Sequence, residues 1–260
     1  MPFDQLRLIG MVHLPALPGA ARHTLPIQQI IEQATGEARL LAESGFDAVI
    51  VENFGDAPFA AEVVSRETIA SVAVVVDHVV RSVQVPVAVN VLRNDALSAL
   101  AVAAAAGAMF IRVNVISGVY ATDQGLLSGQ AQRLLERRAA VAPHVKIAAD
   151  VHVKHARPIS QPDVALAAEE TAYRAGADAL IVSGDATGQP TDLDAARRVA
   201  QAVPDRPVWI GSGVTAQTVG EWLKAADAVI VGTSLKMGDK TTAPLDPARV
   251  KKFIQAAGRS

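Results

Sequence analysis

The sequence contains no cysteine. That absence removes disulfides, zinc–thiolate centres, iron–sulfur clusters and thiol nucleophiles together, leaving oxygen and nitrogen groups for any chemistry. An excess of charge of either sign is missing too: 24 Lys and Arg stand against 26 Asp and Glu, a net charge of −2. There is thus no broad electrostatic footprint for nucleic acid or anionic lipid, and neither is expected as a partner. Long apolar runs are also missing. The longest uncharged stretch, residues 96–111, is 16 residues with Gly107 inside it, short of the roughly 20 needed to cross a bilayer. It reads as a buried helix turning into a strand, and no membrane span is expected. The opening MPFDQLRLIG lacks a basic segment followed by a long apolar one, so the expectation is a cytoplasmic protein without a secretory signal.

The chain has 260 residues, the usual size of a single α/β barrel. A repeat organises it. ESGFDAVIVEN (43–53), AAGAMFIRVN (105–114), RAGADALIVSG (174–184) and KAADAVIVGT (224–233) share one plan of helix end, small residue and aliphatic strand. Gly45, Gly107 and Gly176 suit helix C-caps, where a left-handed residue is needed. Four more β-branched runs lie between these, at 6–14, 85–92, 145–153 and 206–213. Helical patterns fill the gaps near 26–44, 66–82, 94–106, 126–141, 162–175, 191–202, 215–224 and 246–257. Eight alternating βα units predict one (βα)8 TIM barrel over residues 1–260. An open doubly wound sheet would be expected to carry a glycine-rich dinucleotide fingerprint after its first strand, and GMVHLPALPG (10–19) is no such motif.

Active sites of such barrels form at the C-terminal ends of the strands. Reading each strand to its end nominates His13, then Glu52 and Asn53, then Asn90 and Arg93, then Arg112 and Asn114, then Asp150, His152 and Lys154, and finally Ser183 and Asp185. The last two strands end instead in GSGVTAQTV (211–219) and GTSLK (232–236). Phosphate sites in this fold are frequently made by those two loops and a nearby helix N-terminus. Gly211, Gly213 and Gly232 allow close backbone approach, while Ser212, Thr233 and Ser234 offer hydroxyls. A small phosphorylated ligand is the expected partner; tight βα turns and a helix cap at Thr215 are the structural alternative.

In AADVHVKHA (148–156), period two puts Asp150, His152 and Lys154 on one face, the lumen, with Val151 and Val153 against the helices. Asp150 and His152 read as an acid/base pair, since imidazole titrates nearest neutrality and a neighbouring carboxylate adjusts it. Glu52, sharing a face with Ile50, reads as a second acid or base across the lumen. Lys154 steadies an anionic substrate or, once desolvated, forms a Schiff base, against the alternative of a solvated loop lysine. The Arg112 fork meets either a ligand carboxylate or phosphate, or Asp150 or Glu52 in a structural pair. A divalent metal on Glu52, Asp150, His152 and His13 is a further option from the donor types. Loops 14–26, 53–66 and 115–127 are long enough for lids. Aromatics form only 4% of the chain, yet Phe54, Phe59 and Tyr120 fall in these loops, as ligand covers or as ordinary anchors.

GMVHLPALPG (10–19), VENFGDAPF (51–59), RVNV (112–115) with TDQG (122–125), ADVHVKHA (149–156), VSGDATG (182–188), GSGVT (211–215) and VGTSLK (231–236) together resemble the BtpA/SgcQ family. The motifs run from the first strand to the eighth. The resemblance implies a TIM barrel related to phosphate-binding barrels, with some members beside sugar-utilisation genes and others linked to assembly or stability of photosystem I. It supplies no catalytic residues to carry over. Two functions follow: an enzyme on a sugar phosphate or nucleotide-like compound, by isomerisation, lyase chemistry or glycosidic cleavage, and a non-catalytic peripheral assembly factor. A homo-oligomer is the default for a soluble enzyme of this size.

Overall fold

Eight parallel strands close into a barrel in the computed structural model, which describes residues 2–184 and 191–259. The barrel strands are β1 (Leu8–His13), β2 (Ala48–Glu52), β3 (Val87–Asn90), β4 (Phe110–Val113), β7 (Lys146–Val151), β9 (Ala179–Val182), β10 (Val208–Ile210) and β11 (Ala228–Val231). Around them run α1 (Ile27–Glu43), α2 (Arg66–Ser82), α3 (Ala96–Ala106), α4 (Ala131–Val141), α5 (Val164–Glu169), α6 (Leu193–Ala202), α7 (Val219–Ala225) and α8 (Pro247–Ala256). The chain is a (βα)8 TIM barrel, and β1 pairs with both β2 and β11 to close it.

Local chemistry sets the helix boundaries. Ser65 caps α2 by accepting from the Thr68 amide at 3.1 Å. Asp95 caps α3 through the Ser98 amide, and Asp246 caps α8 ahead of Pro247. Gly107 ends α3 in the left-handed region at φ 77°, as its position predicts. The alanine-rich run is this helix, and no helix among the described residues is long and apolar enough to cross a membrane.

Alternation along the strands sorts their side chains into two sets. Residues such as Leu8, Val49, Val89 and Ile111 pack outward under the helices in the main core. Their neighbours Ile9, Ala48, Phe110, Ala148, Ile181 and Trp209 fill the lumen. Phe3 plugs the N-terminal end, its ring 5.4 Å from Phe110 and 5.1 Å from Trp209. Two residues further along, six of the eight strands turn polar in the lumen, at His13, Glu52, Asn90, Arg112, Asp150 and Ser183, and the other two reach Gly211 and Gly232. The site layer is thus a direct consequence of period two.

The long loop after β4 is not bare. It forms a hairpin, β5 (Val119–Thr122) with β6 (Gly125–Ser128), and β8 (Ala156–Pro158) from the loop after β7 joins it as a third strand. Helix α4 therefore begins at Ala131, later than the helical pattern from 126 predicts. Tyr120 is buried in a small cluster with Val115, Leu127 and Val153, which makes it an anchor of this sheet.

Candidate active site at the barrel mouth

A cavity of about 420 Å³ opens at the C-terminal end of the barrel. It is lined by Met11 and Ile230, by His13, Glu52, Arg112 and Lys154, and by residues 211–215 and 231–234. All six residues nominated for phosphate therefore line it. The amides of Gly213, Val214, Thr233 and Ser234 carry no main-chain or side-chain partner among the described residues. Unpaired N–H groups in loops that line one cavity are the kind of donor from which anion nests are made.

Two of the glycines are needed for what lies beside them. A Cβ on Gly211 would lie 2.5 Å from Ile181 Cγ2 and 2.6 Å from Ser183 Oγ, and one on Gly232 would lie 2.5 Å from His13 Cε1. Only a bare backbone lets these loops close on the site layer. The hydroxyls behave differently from the sequence expectation. Ser234 donates to the Val214 carbonyl at 2.7 Å, lashing the two loops together, and Thr233 pairs with Thr241 at 3.0 Å. Ser234 thus faces a ligand with its amide, its hydroxyl being spent.

Asp150 is saturated. Arg112 donates to both carboxylate oxygens, Nε at 3.0 Å and Nη2 at 2.8 Å, Asn114 Nδ2 donates at 3.1 Å and Ser183 Oγ at 3.1 Å. The Arg112 and Asp150 side chains are 1% and 0% exposed. A carboxylate with four donors and no solvent has no lone pair left for a substrate proton. Asp150 therefore orients Arg112, Asn114 and Ser183, and the acid/base role expected of it is corrected to positioning. Asn90 extends the network, donating to the Arg112 carbonyl and to Asn114 Oδ1, both at 3.1 Å. Asn53 accepts from the Leu92 amide at 2.7 Å and donates to Asp56 at 2.9 Å, so it pins two loops and does not line the cavity.

His152 departs from the expectation as well. The strand ends at Val151, and His152 adopts φ 52°, breaking the period-two face. Its Nε2 lies 2.8 Å from the Gln161 carbonyl and its ring meets Tyr120 edge-on. The Asp150–His152 pair is not formed. With Asp150 saturated and His152 turned away, the four donors considered for a metal are not brought together, and among the described residues no group of three or more His, Asp or Glu is placed to hold one. Asp185 lies outside the described residues.

What remains is His13, Glu52 and Lys154. His13 Nε2 is 3.8 Å from Glu52 Oε1, a separation that one small displacement closes, and the two sit on paired residues of β1 and β2. The His13 side chain is 7% exposed and its Nδ1 is buried without a partner. Burial, with Lys236, Lys154 and Arg112 nearby, holds its imidazole well below the ordinary histidine range, so it is neutral near pH 7. The Lys154 ammonium makes no hydrogen bond or ion pair among the described residues. Burial and the Arg112 cation push its pKa down, against Glu52 and Asp150, which pull it up.

Sequence reading nominated Arg93 but missed Lys236 and its partner Glu37. Lys236, 1% exposed, gives both Nζ bonds to Glu37 of α1 at 2.8 Å. The pair borders a second cavity of about 740 Å³ on the far side of His13. The lysine of GTSLK was a visible signal; Glu37, inside an amphipathic helix, gave none. Arg93, buried, donates Nη2 to the Lys154 carbonyl and so fixes the main chain of that loop.

The sequence profile of the BtpA family matches residues 5–259. The chain belongs to the BtpA family. It is 46% identical over 249 residues to the photosystem I biogenesis protein BtpA of Synechocystis sp., covering 96% of this chain and 87% of the relative. It is 43% identical to an uncharacterized protein of Pyrococcus abyssi, covering 90% and 89%. Among solved structures it is similar to phosphoribosyl anthranilate isomerase from Thermus thermophilus, with TM-score 0.58, 12% identity and coverage of 97% and 98%. KGPDC from Streptococcus mutans gives TM-score 0.60 at 11% identity, covering 98% of each chain. At those identities the structural likeness speaks for the fold of this BtpA-family chain.

Proposed function

We propose that this BtpA-family protein is an enzyme acting on a small phosphorylated metabolite, with the phosphate on the loops after β10 and β11 and proton transfer at Glu52 beside His13. The observation that carries the reading is one cavity lined by two kinds of group. The amides of Gly213, Val214, Thr233 and Ser234 are unpaired among the described residues, and His13, Glu52 and Lys154 line the same cavity without saturated partners. A dianionic phosphate satisfies these amides, and Arg112 and Lys154 in the same cavity add positive potential. Glu52 then takes and returns the proton, with the neutral imidazole of His13 beside it as a hydrogen-bonding group. Sugar phosphates and nucleotide-like compounds, and isomerase, lyase or glycosidic chemistry, all fit these parts.

The test is thermal unfolding with inorganic phosphate, sugar phosphates and the unphosphorylated sugars. Ligands carrying phosphate stabilise the protein, by about 2.7 kcal/mol at one hundred times Kd, and the free sugars do not. Equal shifts with both sets would overturn the reading. The name of the Synechocystis relative supports a second reading, a peripheral assembly factor. That role does not use the polar cavity, so Glu52→Gln with the fold intact would leave complementation of an assembly defect unchanged.

A further inference from the structure

We propose that Lys154 is the nucleophile of this cavity, forming an imine with a phosphorylated ketone or aldehyde. The inference rests on the phosphate reading above and names the reacting carbon's class.

Among the cations around the cavity, Lys154 is set apart by its bonding. Arg112 is held by Asp150, Lys236 by Glu37, Arg93 by the Lys154 carbonyl, and Asp239 at the rim by Arg249. The Lys154 amine lines the same cavity with no such partner among the described residues. Its main chain is nevertheless fixed. Arg93 grips its carbonyl, and Val153, 1% exposed, is packed with Tyr120 and Leu127 one residue before it. A lysine that only balanced charge would sit against Glu52 or Asp150. This one is held on a rigid loop, open to the cavity and close to other cations. Burial and Arg112, with Arg93 adding to them, favour its free amine over Glu52 and Asp150 opposing, which is how a lysine becomes nucleophilic near neutral pH.

The chemistry balances without an outside redox partner. The amine lone pair attacks the carbonyl carbon, and the nitrogen's proton passes to the oxygen to give a carbinolamine. Glu52 relays the nitrogen's remaining proton to the departing hydroxyl, water leaves and the neutral imine forms. In a β-hydroxy substrate Glu52 relays the hydroxyl proton to the imine nitrogen as the C–C bond breaks and its electrons flow to that nitrogen, giving an enamine. Reprotonation at carbon and addition of one water, equal to the one released, return the free amine and two carbonyl products.

The experiment is borohydride trapping of the intact protein with dihydroxyacetone phosphate, glyceraldehyde 3-phosphate and ribose 5-phosphate, read by peptide mass spectrometry. The expected adduct is on Lys154 with at least one of the three, and inorganic phosphate at ten times its Kd reduces it on the order of tenfold. Lys154→Arg loses the adduct and still binds inorganic phosphate. Phosphate binding with label only on the exposed Lys224, Lys240 and Lys251 would overturn the imine and leave the phosphate site standing. An adduct on Lys154 that phosphate does not displace would keep the imine and overturn the phosphate site. No adduct and no phosphate binding would overturn both.

Discussion

The two sides of the barrel mouth are made from equivalent positions of neighbouring strands, yet they are built to opposite rules. On the β4–β7–β9 side, Arg112, Asp150, Asn114 and Ser183 answer one another's hydrogen bonds. On the β1–β2 side and the loop bearing Lys154, His13 Nδ1 has no partner, His13 and Glu52 stand 3.8 Å apart, and Lys154 is unpaired among the described residues. Saturated charge gives rigidity, because every lone pair is spent on holding a neighbour. Unsaturated charge stores capacity for a ligand, because a buried polar group without a partner carries a desolvation cost that binding can relieve. A rich cluster of ionisable residues in a sequence thus divides, in the fold, into a frame and a reactive part.

That division can be broken from its strongest point downward. Asp150→Ala leaves the Arg112 guanidinium buried without its partner, and is expected to cost about 3–5 kcal/mol in urea unfolding. Replacing both, with Arg112→Met and Asp150→Leu, is expected to cost less than the single change; an Asp150→Ala variant as stable as the wild type would contradict the frame. Gly232→Ala places a methyl 2.5 Å from His13 Cε1 and 3.0 Å from Met11 Cβ. It is expected to cost about 1–3 kcal/mol, with phosphate affinity in calorimetry falling by more than the loss measured for Gly36→Ala on α1, where nothing lies within 4 Å.

The next effect is a pH dependence. The native His13 pKa lies well below the unfolded value of 6.5, so as pH falls below 6.5 the unfolded chain takes a proton that the native site refuses. Stability contributed by neutral His13 is present above that pH and lost below it, with a slope of at most about 1.4 kcal/mol per pH unit. Urea titrations between pH 5 and 7 are expected to show this slope reduced in His13→Gln; identical slopes would place His13 in an ordinary environment. The smallest effect belongs to His152→Gln. Its ring faces Gln161 and Tyr120, away from the cavity, so phosphate binding and trapping at Lys154 are expected to match the wild type. A loss of both would restore His152 to the site.

The barrel was legible because its signals are periodic and local. The eight strands, the C-caps at Gly45, Gly107 and Gly176, and the glycines of the last two loops all follow from spacing and backbone demands. Which ionisable groups stay unpaired was not legible, since that depends on partners brought from distant strands. The Arg112–Asp150 pair, 38 residues apart, was one of the alternatives the strand positions left open, while Lys236 meeting Glu37 across 199 was not foreseen. The alternation in ADVHVKHA also predicted one face for three residues, and it failed at His152 because the chain leaves the strand there in a left-handed turn. Lys154, reached only after that turn, is the member of the three that lines the cavity.

The central claim is that unpaired groups lining one cavity hold a phosphorylated ligand. A crystal structure with inorganic phosphate tests it most directly. The account predicts the anion bound to the amides of Gly213, Val214, Thr233 and Ser234, with the Lys154 side chain in the same cavity and Asp150 still bound to Arg112. Phosphate absent from that nest at saturating concentration, or bound outside the barrel mouth, would contradict it.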